Sequence, residues 1–249
     1  MVATEKAFNK QQLALIADDF RLLARFHDRE FNATFLDGLR KGKITDFLSV
    51  SIASDAAVKA AGDLDEALAL LPSAPGQAVL DALAVEYANI YLCHNYRIAP
   101  TGSVWLTEES LERQEPMFVA RGWYAKYDMG APDWRVRPDD HIVHELQFLA
   151  RLCELGTKQS MADAVAFLDQ CVLVWVPDFA NAVSERAHEA IYIASAALTA
   201  AYLEELRDVL EVITGVARPV KEPESNENTI RLYDIDQDRP FVPGVSESW

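Results

Sequence analysis

Apolar residues recur every three or four positions along most of this chain, and no other feature limits its fold as much. The spacing places Leu13, Ile16, Phe20, Leu23, His27 and Phe31 on one helical face. Residues 79–91 and 142–152 repeat the pattern, and residues 178–214 are predicted as one further long helix. No segment alternates between apolar and polar residues as a half-buried strand does. The periodicity therefore predicts an all-α fold.

The chain is long enough for one helical domain of two packed halves, followed by a tail. We expect the helical domain to cover residues 1–216, with a hinge at about 128–137, where a glycine and a proline interrupt the pattern. The N-terminal half would then be about 1–127 and the C-terminal half about 138–216. Residues 217–249 contain four prolines among acidic and polar residues. This composition predicts an extended tail.

Prolines and hydroxyl side chains indicate where two of the helices begin. Pro138 is suited to the first turn of a helix, because a proline there loses no helical hydrogen bond. Asp139 and Asp140 would then lie in that first turn, where carboxylates interact well with the helix dipole. Thr107 is suited to cap a helix that runs to about Tyr124.

The charge of the chain disfavours one class of partner and suits another. The formal net charge is −16 at pH 7. Nucleic acid is an unsuitable partner, because phosphate binding requires clustered lysine and arginine. A basic peptide is electrostatically favoured, although solubility alone would also account for an acidic surface.

Cysteine usage and hydropathy indicate a compartment. No apolar run approaches the roughly 18 residues that a membrane helix needs, and residues 1–12 lack the apolar core of a secretion signal. The cysteines are Cys93, Cys153 and Cys171, an odd number with no C-x-x-C pair. A reducing environment suits them. We therefore expect a cytoplasmic protein that does not insert into membranes.

The densest group of polar side chains is Asp139, Asp140, His141, His144 and Glu145. Its order of histidines and glutamate does not match the H-E-x-x-H pattern of zinc proteases. The chain also lacks a phosphate-binding loop, a dinucleotide-binding glycine turn and a G-x-S-x-G nucleophile elbow. A capped, charged helix start and a binding site both remain open for this group, and we expect no enzyme activity and no cofactor.

Two alternatives belong to other functional classes. The first is a helical metal-binding oxidase that uses His141, His144, Glu185 and His188. Glu185 and His188 supply one Glu-x-x-His motif of a di-iron bundle, but the second such motif is not found. The second alternative is a helical scaffold with no peptide-binding role. Trp105 and Trp134 lie beside loop-like stretches, where aromatic side chains often anchor peptide ligands, and this favours a binding protein over both.

Three motifs in order resemble the TorD/DmsD family of redox-enzyme maturation chaperones. The first runs from Glu86-Tyr87 to Tyr91-Leu92 and on to Pro100-Thr-Gly-Ser103-Val-Trp105-Leu106. The second is Pro138-Asp139-Asp140-His141, similar to a P-x-D-H motif, followed by Glu145-Leu146-Gln147-Phe148. The third is Trp175-Val-Pro177-Asp-Phe179. The resemblance covers roughly residues 80–200, whereas the first 75 residues match only as generic helices.

The resemblance implies an all-α, cytoplasmic, non-enzymatic chaperone. Its client would be the catalytic subunit of a molybdopterin oxidoreductase, bound through both its twin-arginine signal peptide and its body. The chaperone would hold this subunit back from export until the cofactor is inserted. A hinge between two halves also allows exchange between protomers, so we expect a monomer with a minor domain-swapped dimer.

The same comparison gives candidate residues for client binding. Asp139, Asp140 and Glu145 are predicted to receive the arginines of the signal peptide. Trp105 and its neighbours would cover the apolar stretch that follows the arginines, and His141 would orient the loop. The complete predicted site is Ser103, Trp105, Leu106, Pro138, Asp139, Asp140, His141 and Glu145.

Overall fold

A computed structural model of the chain describes residues 10–93, 96–132 and 134–219. Over these residues it contains ten α-helices and no strand beyond one isolated bridge, between Thr101 and His141. The predicted all-α fold is confirmed. The helices are α1 (Lys10–Asp28), α2 (Ala33–Leu39), α3 (Asp55–Leu70), α4 (Gln77–Tyr91), α5 (Gly102–Leu106), α6 (Glu115–Ala125), α7 (Ile142–Leu155), α8 (Lys158–Phe167), α9 (Val176–Arg186) and α10 (Ala190–Thr214).

Local sequence explains several of the helix ends. The Ser54 hydroxyl accepts a hydrogen bond from Ala57 N at 3.2 Å and caps α3. Thr157 caps α8 in the same way. Gly156 ends α7 and Gly215 ends α10, both in the left-handed region, at φ +57° and +70°, where a residue without Cβ is favoured.

The core is built on α7 and α10. Helix α7 buries most of its residues and packs against α1, while α10 packs against α3 and α9. The largest buried side chains include Trp175, Tyr192 and Phe148. Each such aromatic residue contributes about 1.5–3 kcal/mol by leaving water. Helices from both sides of the predicted hinge therefore share one core.

Hydrogen bonds between buried side chains also join helices that are far apart in the sequence. His27 lies in α1, and its two ring nitrogens are 2.7 Å from the Tyr91 hydroxyl and 2.9 Å from Thr199 Oγ1. Burial lowers the pKa of His27 to about 3, so the ring is neutral. The Tyr202 hydroxyl donates to Asp19 at 2.7 Å. These bonds tie α1 and α4 to α10 at fixed positions.

The prediction of one helix over residues 178–214 is wrong. The chain breaks between α9 and α10, and the Glu86 carboxylate of α4 accepts hydrogen bonds there from His188 N and Glu189 N. A capping carboxylate that comes from another helix leaves no mark in the local sequence. Similarly, Thr107 follows α5 rather than capping α6, which begins only at Glu115.

The described residues up to Arg218 belong to one compact unit. Most of the predicted tail lies outside the described residues, and the hinge at 128–137 stays a prediction. No single described helix has both the length and the apolar composition to cross a membrane. Lys158–Val172 and Val176–Arg186, bent by 45°, meet those two criteria only as a pair.

Candidate functional site

Two sequence motifs that are far apart in the chain meet in one place. Gly102 N donates to the carbonyl oxygen of Asp140 at 2.9 Å, and Ile142 N donates to that of Pro100 at 2.9 Å. This pairing keeps His141 extended, after a turn over residues 139–140, so α7 starts with His141 as its N-cap. The prediction that Pro138, Asp139 and Asp140 lie in the first turn of this helix is therefore wrong.

Asp140 fixes the short helix α5. Its Oδ2 accepts hydrogen bonds from Ser103 N at 2.6 Å and from Ser103 Oγ at 2.5 Å. Ser103 Oγ in turn accepts from Gln114 N, at 3.1 Å, just before α6 begins. Both Asp140 and Ser103 are buried. Burial raises the pKa of the Asp140 carboxyl, and the bonds from Ser103 oppose that shift.

Glu145 lies deeper still, on the first turn of α7. Its Oε2 accepts a hydrogen bond from Trp175 Nε1 at 3.2 Å. Burial first, and the nearby Asp140 second, raise the pKa of Glu145 well above its usual range. Burial thus disfavours the charged form of this carboxyl, which faces Trp175 within the protein. A Cβ at Gly102 would lie 3.1 Å from Trp175 Nε1, so this close approach favours glycine.

Asp139 is paired within the molecule. Its carboxylate is bound by Arg121, with Nη2 at 2.8 Å and Nε at 3.3 Å. The Arg121 guanidinium also lies over two aromatic rings, 5.4 Å from the Phe118 centroid and 5.0 Å from that of Trp134. Sequence reasoning did not identify Arg121 or Phe118. Their spacing of three on one helix was the available signal.

The exposed part of the site begins at Trp105. This side chain is half-buried, and its Nε1 donates to the carbonyl oxygen of Ala99 at 2.8 Å. Leu106 is 40% exposed and Leu111 is 58% exposed. A cavity of about 550 Å³ opens beside Leu111, and it is lined by Arg97, Ile98, Ala99, Val104, Ser110, Leu111 and Glu112.

The site thus has two parts. The first is the buried cluster, formed by Ser103, Asp140, Glu145 and Trp175. The second is the rim, which comprises Trp105, Leu106, Glu108, Glu109, Leu111 and Glu112. The rim follows the buried cluster directly along α5, and it carries exposed apolar and acidic groups in a short segment.

The surroundings of the two histidines at the second motif indicate a structural role for both. His141 Nδ1 accepts from Val143 N at 3.1 Å and caps α7. Burial lowers the pKa of His144 to about 4, so its ring is neutral. Over the described part of the chain, no three side chains of histidine, cysteine, aspartate or glutamate are grouped to hold a metal ion. The ring of His188 instead packs against Tyr96, 5.6 Å between centroids.

Comparison with known proteins decides the family. Residues 53–181, over half of the chain, match the family model described as nitrate reductase delta subunit. The chain belongs to this family, that of the TorD chaperones. It is 26% identical to the chaperone protein TorD of Vibrio vulnificus strain YJ016 over 194 residues, which cover 74% of this chain and 87% of the relative.

A second relative agrees with the first. The chaperone protein TorD of Aliivibrio fischeri strain ATCC 700601 / ES114 is 26% identical over 131 residues, 49% of this chain and 61% of the relative. The family membership inferred from the three motifs is confirmed. In this TorD-family chaperone, the family-like motifs GSVWL and P-x-D-H form the walls of one site.

The burial of the motif residues limits what they can do for a ligand. Asp140 and Glu145 lie beneath the surface and already accept hydrogen bonds from the protein. Pro138 and His141 are also buried. The rim, in contrast, combines apolar and acidic groups with access to water, and Arg121 exposes part of the side chain that pairs with Asp139.

Proposed function

We propose that this TorD-family chaperone acts in the cytoplasm on a molybdopterin oxidoreductase subunit. It binds the twin-arginine signal peptide and the body of that subunit and assists cofactor insertion before export. It performs no catalysis and carries no cofactor of its own. The observation that carries the proposal is the pairing of residues 100–102 with 140–142, which joins the two motifs in one site beside an open apolar cavity.

The buried cluster and the rim have separate tasks in this proposal. Ser103 and Asp140 hold α5 in place through hydrogen bonds, and Glu145 accepts one from Trp175. His141 caps α7, and Pro138 lies in the buried turn before it. These residues support the site without touching the peptide. This replaces direct contact between the client and Asp140 or Glu145, because both carboxyls are buried and already accept hydrogen bonds from the protein.

The rim supplies the contacts with the peptide. Trp105, Leu106 and Leu111 are suited to cover the apolar stretch of a signal peptide. Glu108 and Glu109 are exposed carboxylates beside it. Charge-assisted hydrogen bonds to arginine contribute about 1.5–3 kcal/mol where they are shielded, and about 0.2–1 kcal/mol where they are exposed. A basic peptide is also drawn to a chain of net charge −16.

Calorimetry with synthetic peptides tests this function. The wild-type protein should bind a twin-arginine signal peptide of a molybdoenzyme from the same genome. The same peptide with both arginines replaced by glutamine should bind more weakly, because it lacks the charges. If no molybdoenzyme signal peptide from that genome binds, the proposal is wrong.

The metal-oxidase alternative has its own test. Metal analysis of the purified protein should find less than one iron or zinc ion per chain, because the described side chains form no group suited to a metal. Iron or zinc at one or more per chain, lost on His141→Ala but retained on Arg21→Ala, would favour the oxidase instead.

We also propose that the protein is mostly monomeric, with a minor dimer formed by exchange of halves about residues 128–137. Helix α1 precedes that segment and packs on α7, which follows it. The same contacts can therefore form between two protomers. Light scattering should show a main monomer peak and a small dimer peak. A single large closed oligomer would contradict the exchange.

A further inference from the structure

A binding position for a guanidinium group, here called the seat, lies beside the site. It consists of the Asp139 carboxylate and the rings of Phe118 and Trp134. Arg121 occupies it, through bonds of 2.8 and 3.3 Å to Asp139 and at 5.4 and 5.0 Å from the two ring centroids. A carboxylate with flanking aromatic rings is the environment that a planar cation prefers.

The seat and its occupant differ in how firmly they are held. The Asp139 side chain is 3% exposed, and the Tyr124 hydroxyl donates to its backbone carbonyl at 2.7 Å. The Arg121 side chain is 39% exposed, and Phe118 and Trp134 are 51% and 39% exposed. The carboxylate therefore stays in place, while the arginine has a direct path into water.

A buried carboxylate also has to keep a partner. An unpaired charge at that depth is strongly unfavourable, so Arg121 can leave only if another cation takes its place. A second guanidinium restores both hydrogen bonds and both ring contacts. An ammonium group restores fewer, because it lacks the planar fork that pairs with a carboxylate.

We propose that this seat receives one arginine of the client peptide in exchange for Arg121. The inference rests on the proposed function and names its arginine subsite. Asp139 directly precedes Asp140 of the buried cluster, and Gln114, just before α6, is bonded to Ser103. The seat therefore adjoins the buried cluster, from which the rim continues along the chain. Arg121 acts as an internal competitor that keeps the seat filled when no client is bound.

The first test uses no client. Arg121→Ala should lower the melting temperature, because Asp139 loses its partner. Methylguanidinium chloride at millimolar concentration should raise the melting temperature of this variant more than that of wild type, and methylammonium chloride at equal ionic strength should not. Arg21→Ala, which removes an exposed arginine paired with Asp18 and Glu154, should show no selective rescue. Equal effects of the two salts on Arg121→Ala would overturn the proposal.

The second test uses the twin-arginine peptide. Arg121→Ala should bind it roughly five- to thirtyfold more tightly than wild type, which corresponds to the loss of a competing contact of about 1–2 kcal/mol. Adding Asp139→Asn to this variant should abolish the gain, because the seat then lacks its charge.

The outcomes separate the two proposals. Peptide binding by wild type with equal or weaker binding by Arg121→Ala would overturn the seat and leave the proposed function standing. If the peptide binds to none of the variants, the proposed function is contradicted, and so is the proposal that the seat receives an arginine of the client. Selective rescue by methylguanidinium would then show only that the seat takes a guanidinium.

Discussion

The buried cluster and the rim adjoin each other in the chain, but they differ in what surrounds them. Ser103 in the buried cluster is fully enclosed, whereas Leu106, one helical turn later, is 40% exposed. The family-like motif thus spans both a structural support and a contact surface. Presence of a residue in a motif therefore does not show that it touches a ligand.

The largest effect is expected in the buried cluster. Trp175→Ala should lower the free energy of unfolding by about 3–5 kcal/mol, because the side chain is fully buried and leaves a cavity. Chemical denaturation measures this directly. Trp175→Phe keeps most of the volume and loses only the hydrogen bond to Glu145, so it should be destabilised less. A loss below about 1 kcal/mol for Trp175→Ala would show that the cluster does not support the fold.

A smaller loss of stability and a larger loss of affinity are expected at the rim. Trp105→Ala should weaken binding of the signal peptide by about 2 kcal/mol or more if Trp105 anchors the peptide. Its stability should fall less than that of Trp175→Ala, because Trp105 is only half-buried. Thermal unfolding and calorimetry on the same samples separate the two effects. A low melting temperature with normal peptide affinity would assign Trp105 to the core instead.

The pH dependence of the free energy of unfolding should also distinguish the buried cluster from the rim. Burial raises the pKa of Glu145 in the folded state, so the folded protein holds a proton that the unfolded chain releases at about pH 4. The free energy of unfolding of the wild type therefore falls, relative to that of Glu145→Gln, as pH rises from the pKa of Glu145 in the unfolded chain to its pKa in the folded protein. The fall is up to about 1.4 kcal/mol per pH unit.

Unfolding curves of wild type and Glu145→Gln from pH 4 to pH 8 measure this difference. The control is Glu109→Gln, which makes the same change at an exposed position on the rim. A difference between wild type and Glu145→Gln that does not change with pH would contradict the raised pKa of Glu145.

The sequence predicts the helices better than their ends. The spacing of Ile142, Leu146 and Leu149 indicates α7 correctly, because a buried face repeats with the helical period. The break between α9 and α10 was missed because Glu86, about a hundred residues earlier, caps it. Contacts of that range are set by packing, and a local pattern does not record them.

The proximity of the two motifs could be predicted, but the contacts around them could not. The motif resemblance indicated that the segments at Ser103 and Asp140 belong together, and the structure joins them by hydrogen bonds. The burial of Glu145 was not predictable, because a glutamate after two histidines is as typical of an exposed helix start. The pairing of Arg121 with Asp139 depends on how α6 packs against the loop before α7, which no spacing rule gives.

One paired measurement tests most directly the claim that the buried cluster supports the site and the rim binds the client. Melting temperature and signal-peptide affinity are measured together for Asp140→Ala, Leu106→Ser and a matched control, Val212→Ser, which alters an exposed apolar side chain on α10. We predict that Leu106→Ser melts like wild type and binds more weakly, whereas Val212→Ser changes neither. Asp140→Ala should lose about 1–3 kcal/mol of stability, because Ser103 loses its acceptor. An Asp140→Ala protein that melts like wild type but no longer binds the peptide, beside a Leu106→Ser protein that binds normally, would contradict this account.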